Sequence, residues 1–170
     1  MRDVDEPVIS RDHDQPVGGE PDREVVVTGI RDLLTQQPFA VLCTQGGGQP
    51  YGSVVAFAVN EALDAAVFAT GRATRKYSLL TACDRVALVV DSRPSHPEEL
   101  MKVAALTATG RARELPDQER GPWEARLIAR HPQLKPFVVS PSTAVFTVDI
   151  VRYLYVTRFQ EVHQWVPGTA

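Results

Sequence analysis

Between Phe39 and Thr70 three β-prone apolar runs follow one another, separated only by short segments rich in turn formers. The runs are Phe39-Ala40-Val41-Leu42-Cys43-Thr44, Tyr51 to Val59, and Ala65-Ala66-Val67-Phe68-Ala69-Thr70. The connections Gln45-Gly46-Gly47-Gly48-Gln49-Pro50 and Asn60-Glu61-Ala62-Leu63-Asp64 read as turns, so the first two runs form a hairpin and the third follows in antiparallel order. The glycines supply positive φ at the hairpin tip. They lack the Gly-Lys-Ser/Thr ending and the following helix that a phosphate-binding loop requires.

The rest of the chain keeps the same character. Arg85-Val86-Ala87-Leu88-Val89-Val90-Asp91 is a continuous apolar run that predicts a strand buried on both sides. Ala104-Leu106-Ala108-Gly110-Ala112 alternate with Thr107-Thr109-Arg111-Arg113, which predicts a half-exposed strand. Ala144-Phe146-Val148-Ile150 repeat the pattern, and Tyr153 to Val166 adds one or two strands more. Helical spacing marks Glu24 to Gln36, interrupted at Gly29, then Ala73 to Ala82, and Pro116 to Arg130. No regular strand-helix alternation supports a parallel sheet. The economical fold is mainly β: a closed or partly closed antiparallel barrel of six or seven strands with peripheral helices.

Residues 1–22 hold seven acids against two arginines, with scattered proline and glycine, and predict a disordered acidic tail ahead of one domain at 23–170. A net charge of -3 argues against a general nucleic-acid binder, and no apolar run suits a membrane span. The N-terminus lacks a secretion pattern and two cysteines make no disulfide framework, so a reducing cytoplasm is the expected compartment.

One stretch is electrostatically odd. Ala69-Thr70-Gly71-Arg72-Ala73-Thr74-Arg75-Lys76 hands a strand over to a helix and puts Arg75 and Lys76 in the helix's first turn. The unpaired N–H groups and partial positive charge of a helix N-terminus favour Asp and Glu there. Either both cations bend into water, or an anion joins them. A phosphate would accept bonds from the backbone, from the Thr70 and Thr74 hydroxyls, and from both side chains.

The order of helix, hairpin, strand, a helix opening Thr70-x-x-x-Thr74-Arg75-Lys76, and then Asp84-Arg85-Val86-Ala87-Leu88 resembles the pyridoxamine 5′-phosphate oxidase-like flavoproteins. The resemblance covers about residues 25–166. It implies a split β-barrel that binds FMN at a homodimer interface and works on a small-molecule substrate. Carried onto this chain, it implies that Arg75 and Lys76 hold the FMN phosphate, with Thr70 and Thr74 assisting beside Phe68-Ala69. It implies that Ser53, Val54 and Val55 run along the flavin ring, and that Trp165, near Arg158, stands close to the cofactor; a tryptophan plugging the barrel's end is the other reading. Where the oxidase proper carries basic residues and a glutamine, this chain has Ser53, Phe57 or Ala58, and about Ala105. Flavin binding therefore carries over further than vitamin chemistry does. Sister branches of the fold bind a deazaflavin or haem, and a flavin-storing module would look the same in these residues.

Other chemistry is thin. His13, His96, His131 and His163 lack ligand spacing to one another, to cysteine or to a carboxylate, and no metal site is expected. Cys43 and Cys83 read as packed residues rather than nucleophiles.

Overall fold

A computed structural model of the chain describes residues 22–96, 98–158 and 161–168. The expected acidic tail lies, up to residue 21, outside the described residues. Asp22 is the N-cap of helix α1 (Arg23–Gln36), its carboxylate accepting from the Glu24 backbone N–H at 3.0 Å.

Strands β1 (Phe39–Gly46) and β2 (Gln49–Val59) form the predicted hairpin, with Gly46 opposite Gln49. Gly47 and Gly48 make the two-residue turn at φ 58° and 80°, the double left-handed geometry that glycine adopts without steric cost. Strand β3 (Ala65–Gly71) leads into α2 (Arg75–Ala82), then β4 (Arg85–Asp91) and β5 (Ala105–Glu114). Helices α3 (Asp117–Arg130) and α4 (Lys135–Val138) precede the long strand β6 (Thr143–Thr157) and the short β7 (Glu161–Trp165).

The strand order is β3-β2-β1-β4-β5-β6-β7, and β3 also pairs with β6. That second pairing closes six antiparallel strands into a barrel, with β7 added outside the circle. The first half of β6 lies between β3 and β5, while its last residues, from Tyr153, pair with β7. At the crowded β5–β6 contact the register shifts beside Gly110, where a Cβ would stand 2.4 Å from the Asp149 carbonyl oxygen. Only glycine fits there.

Leu42, Phe57, Phe68, Phe146, Val148 and Tyr153 fill the barrel, Phe68 and Phe146 stacking at 5.6 Å. Helix α1 adds Val26, Ile30, Leu33 and Leu34 to the same core, and α2 adds Leu80. Gly29 does not interrupt α1; it lets the Tyr155 ring approach, since a Cβ there would meet the Tyr155 hydroxyl at 2.6 Å. A second core of Val67, Leu115, Leu127, Val138 and Val145 joins the outside of β3 and β6 to α3 and α4.

Strand β4 departs from expectation. Val86, Leu88 and Val90 face the core, but Arg85 is exposed and Ala87, Val89 and Asp91 are only half-buried. The apolar run of β4 is therefore not buried on both sides as the sequence predicts.

Candidate functional site

The turn between β3 and α2 is built around one hydroxyl. The Thr74 Oγ1 donates to the Gly71 carbonyl at 2.8 Å, accepts from the Tyr77 backbone N–H at 3.3 Å, and lies 3.0 Å from the Thr70 Oγ1. One donor and two acceptor positions are all that a hydroxyl has. Thr74 thus caps the helix with its full hydrogen-bonding capacity, and Thr70, buried beneath it, completes the turn. The first turn of α2 contains no acid.

Its three neighbouring cations are not equivalent. Arg72 is neutralised: its guanidinium lies 2.6 Å from a Glu114 carboxylate oxygen at the end of β5 and donates to the Tyr77 hydroxyl at 3.1 Å. Tyr77 in turn donates to the other Glu114 oxygen at 3.1 Å. The hydrogen bond to Glu114 holds Arg72 even further above the usual guanidinium range. Arg75 and Lys76 have no carboxylate partner among the described residues. Burial pushes the Lys76 ammonium down from its ordinary value, the mark of a cation deprived of water and given nothing in exchange.

Arg75 reaches across to β2, its guanidinium 5.0 Å above the Tyr51 ring. This contact brings together the two stretches on which the sequence reading rests. Strand β2 is paired with β1 from Gln49 to Ala56, but β3 pairs with it only at Phe57, Ala58 and Val59. Over Gln49 to Ala56 no strand among the described residues covers its other edge. The barrel is therefore split beside α2, and that edge offers backbone donors and acceptors in extended geometry.

Ser53, Val54 and Val55 lie on this edge with alternating side chains. Ser53 and Val55 pair with the inward-facing Leu42 and Ala40, whereas Val54 points outward and is 65% exposed. The Ser53 Oγ is buried with no hydrogen-bond partner among the described residues. Ala69, half-buried, packs against the second core. Two cations without a carboxylate partner among the described residues, beside an uncovered strand edge, suit a ligand that carries an anionic group and can hydrogen-bond to backbone.

Trp165 lies elsewhere in the chain's own barrel. It pairs with Tyr153 and stacks on its ring at 5.5 Å, ten residues along β6 from the Thr143 that faces Gly71. Its indole Nε1 is buried without a partner among the described residues.

The outer barrel face also bears on function. Val54, Val41, Val89, Thr107 and Leu154 are consecutive cross-strand neighbours on β2, β1, β4, β5 and β6. The next row holds Gly52, Cys43, Ala87 and Thr109, with Thr109 Oγ1 buried and unpartnered among the described residues. Sheet faces in contact with water normally alternate to polar residues; this one is apolar on β2, β1 and β4 and turns polar at Thr107 and Thr109 on β5 and Arg152 on β6. Among the described residues no group of His, Cys, Asp and Glu could hold a metal ion, and no helix is long and apolar enough to cross a membrane.

Sequence reasoning did not find the Arg72–Glu114–Tyr77 network, the Arg75–Tyr51 contact or the open edge of β2. Each joins residues from different elements, and only the position of Glu114 at a strand end could have hinted at the first.

A split antiparallel barrel with a cationic helix terminus beside an open strand defines the class of protein. The family model described as pyridoxamine 5′-phosphate oxidase matches residues 28–157, and the chain belongs to that family. No curated protein matches it in sequence. Among solved structures it resembles a heme-binding protein from Mycobacterium smegmatis, with a TM-score of 0.72, 17% identity and 80% of this chain covered. The chain spans only 55% of that protein's length. It also resembles a Clostridium acetobutylicum protein related to general stress protein 26, of the pyridoxinephosphate oxidase family, with a TM-score of 0.67, 15% identity, and 84% and 95% of the two chains covered. An FAD-binding protein from Mesorhizobium loti matches with a TM-score of 0.60, 18% identity, and 76% and 90% covered. At these identities the likeness is one of fold.

Proposed function

We propose that this protein binds FMN as a homodimer and acts as an oxidoreductase on a small-molecule substrate. The observation that carries the proposal is the unequal state of the three cations: Glu114 neutralises Arg72, while Arg75 and Lys76, at the N-terminus of α2, have no carboxylate partner among the described residues. One phosphate accepts from both side chains and from the free backbone N–H groups of the first helical turn. Thr74, saturated by its capping role, shapes the turn, and Thr70 supports it. The uncovered edge of β2, including Ser53, Val54 and Val55, offers its backbone groups to the polar edge of the ring.

Bound flavin would supply two-electron transfer chemistry, leaving orientation, electrostatics and access to the protein. The chain's own residues fix the cofactor's phosphate and align its ring. The apolar patch of Val54, Val41 and Val89 is the face a second copy covers, which also brings the partner's surface next to the open β2 edge. Trp165 contributes to a cofactor site only across such an interface, since within one chain it lies far along β6. The free thiols Cys43 and Cys83 suit a reducing cytoplasm.

A haem-binding reading has its support in the mycobacterial neighbour. Identifying by mass and absorbance the cofactor that purified protein carries or takes up separates the two. FMN, with reduction by NADH or NADPH, is expected. A Soret band on haem addition with no flavin uptake, or a bound deazaflavin, contradicts the FMN assignment. Bound FMN that no nicotinamide donor reduces leaves a flavin-storage module instead of an oxidoreductase.

A further inference from the structure

At the other end of β2 lies a groove of about 570 Å³ between α3, the end of α1 and the strand. Ala58, Val59, Pro122 and Ala129 line it together with Thr35, Arg126 and Arg130. Val59 is eight residues along β2 from Tyr51, about 26 Å in extended chain, so this groove is separate from the split beside α2.

The arginines are four apart on one helix face, where like charges repel. Elsewhere on α3 the chain avoids this conflict: Arg120 lies 2.8 Å from Glu124 and 3.5 Å from Asp117. Around Arg126 and Arg130 the corresponding positions are Pro122, Trp123, Leu127 and Ala129, and neither arginine pairs with a carboxylate among the described residues.

Both guanidiniums are nevertheless held in place. Arg126 donates to the Val59 carbonyl at 3.2 Å, and Arg130 donates through Nη2 to the carbonyls of Leu34, Thr35 and Gln37. A guanidinium carries five N–H donors, so each retains donors after these bonds. Burial pushes Arg130 down from its ordinary value. Two fixed cations with spare donors, in a groove lined otherwise by small apolar residues and Thr35, define a ligand by chemistry.

We propose that this groove binds a small organic acid, its carboxylate received by Arg126 and Arg130 and its compact apolar body lying against Ala58, Val59 and Pro122. The planar fork of arginine matches a carboxylate, and the walls favour carbon over a bare inorganic anion.

The test is titration of benzoate, benzamide and inorganic phosphate into the full chain, followed by calorimetry and by backbone amide shifts in α3 and at the end of β2. Benzoate is expected to bind saturably at those residues, with benzamide and phosphate at least about tenfold weaker. Arg126→Ala should weaken benzoate about tenfold or more. Arg126→Gln, which retains a donor for Val59, should show the same loss, while the double variant Arg75→Ala, Lys76→Ala should bind benzoate like the unaltered protein. Absence of saturable benzoate binding, equal binding of benzamide or phosphate, or full affinity in Arg126→Gln overturns the proposal.

Discussion

Alanine at both Arg75 and Lys76 is expected to weaken FMN binding tenfold or more while leaving the barrel folded. Each charge-assisted hydrogen bond contributes about 1.5–3 kcal/mol, and about 1.4 kcal/mol is a factor of ten in affinity. Neither side chain holds the fold together: Arg75 is exposed over Tyr51, and Lys76 is a desolvated cation with no ionic partner among the described residues. Removing two like charges from a positive helix end should leave the melting temperature of the apoprotein unchanged or slightly raised. Flavin fluorescence titration and thermal melts read the two effects separately. Unaltered FMN affinity in a folded double variant would show that the phosphate is held elsewhere.

Arg130→Ala has the opposite profile, a loss of stability rather than of flavin affinity. Helix α1 ends without a basic residue in its last turn, and its C-terminal carbonyls carry partial negative charge. Arg130, from α3, supplies the missing cation to Leu34, Thr35 and Gln37 and lays its guanidinium 4.7 Å over the Phe57 ring. The next residue, His131, is buried and has its Nε2 3.0 Å from the Phe57 carbonyl, so the end of α3 clamps α1 and β2 together. Leaving half-buried carbonyls without a donor costs about 1–3 kcal/mol, and the lost contact with the ring about 0.5–2 kcal/mol. The expected destabilisation is about 2–4 kcal/mol by denaturant unfolding, partly restored in Arg130→Lys. A change within about 0.5 kcal/mol would mean that Arg130 is an ordinary surface residue.

These two sites differ in how far the sequence discloses them. Arg75 and Lys76 were legible because the anomaly is local: two cations occupy consecutive positions in a helix turn that ordinarily prefers acids. Arg130 was not, because its partners lie on α1, far away in the chain, and a lone arginine at a helix end looks ordinary. The same division runs through the fold. Gly47-Gly48, the alternation in β5 and the amphipathic α1 are set by turn chemistry and by periodicity within a few residues, so their strands and helix are readable. Closure of the barrel through β3–β6 depends on two strands about seventy residues apart in the chain, and no local pattern records it.

The apolar run of β4 shows how the reading goes astray. Continuous hydrophobicity suggested burial on both faces, yet Ala87 and Val89 face outward next to Val41 and Thr107. A sequence cannot tell a face covered by its own helices from one that stays half-exposed on the barrel's outside. The cations behave likewise. Arg72, Arg75 and Lys76 look alike in the sequence, and only the fold brings Glu114 from β5 to neutralise the first and leave the others available.

The measurement that tests the central claim most directly compares the affinity of the unaltered protein for FMN with that for riboflavin, the same ring lacking the phosphate. Placement of the phosphate at Arg75, Lys76 and the N-terminus of α2 predicts that FMN binds at least about tenfold more tightly, and that this preference collapses in the double alanine variant. Equal affinity for FMN and riboflavin would contradict it.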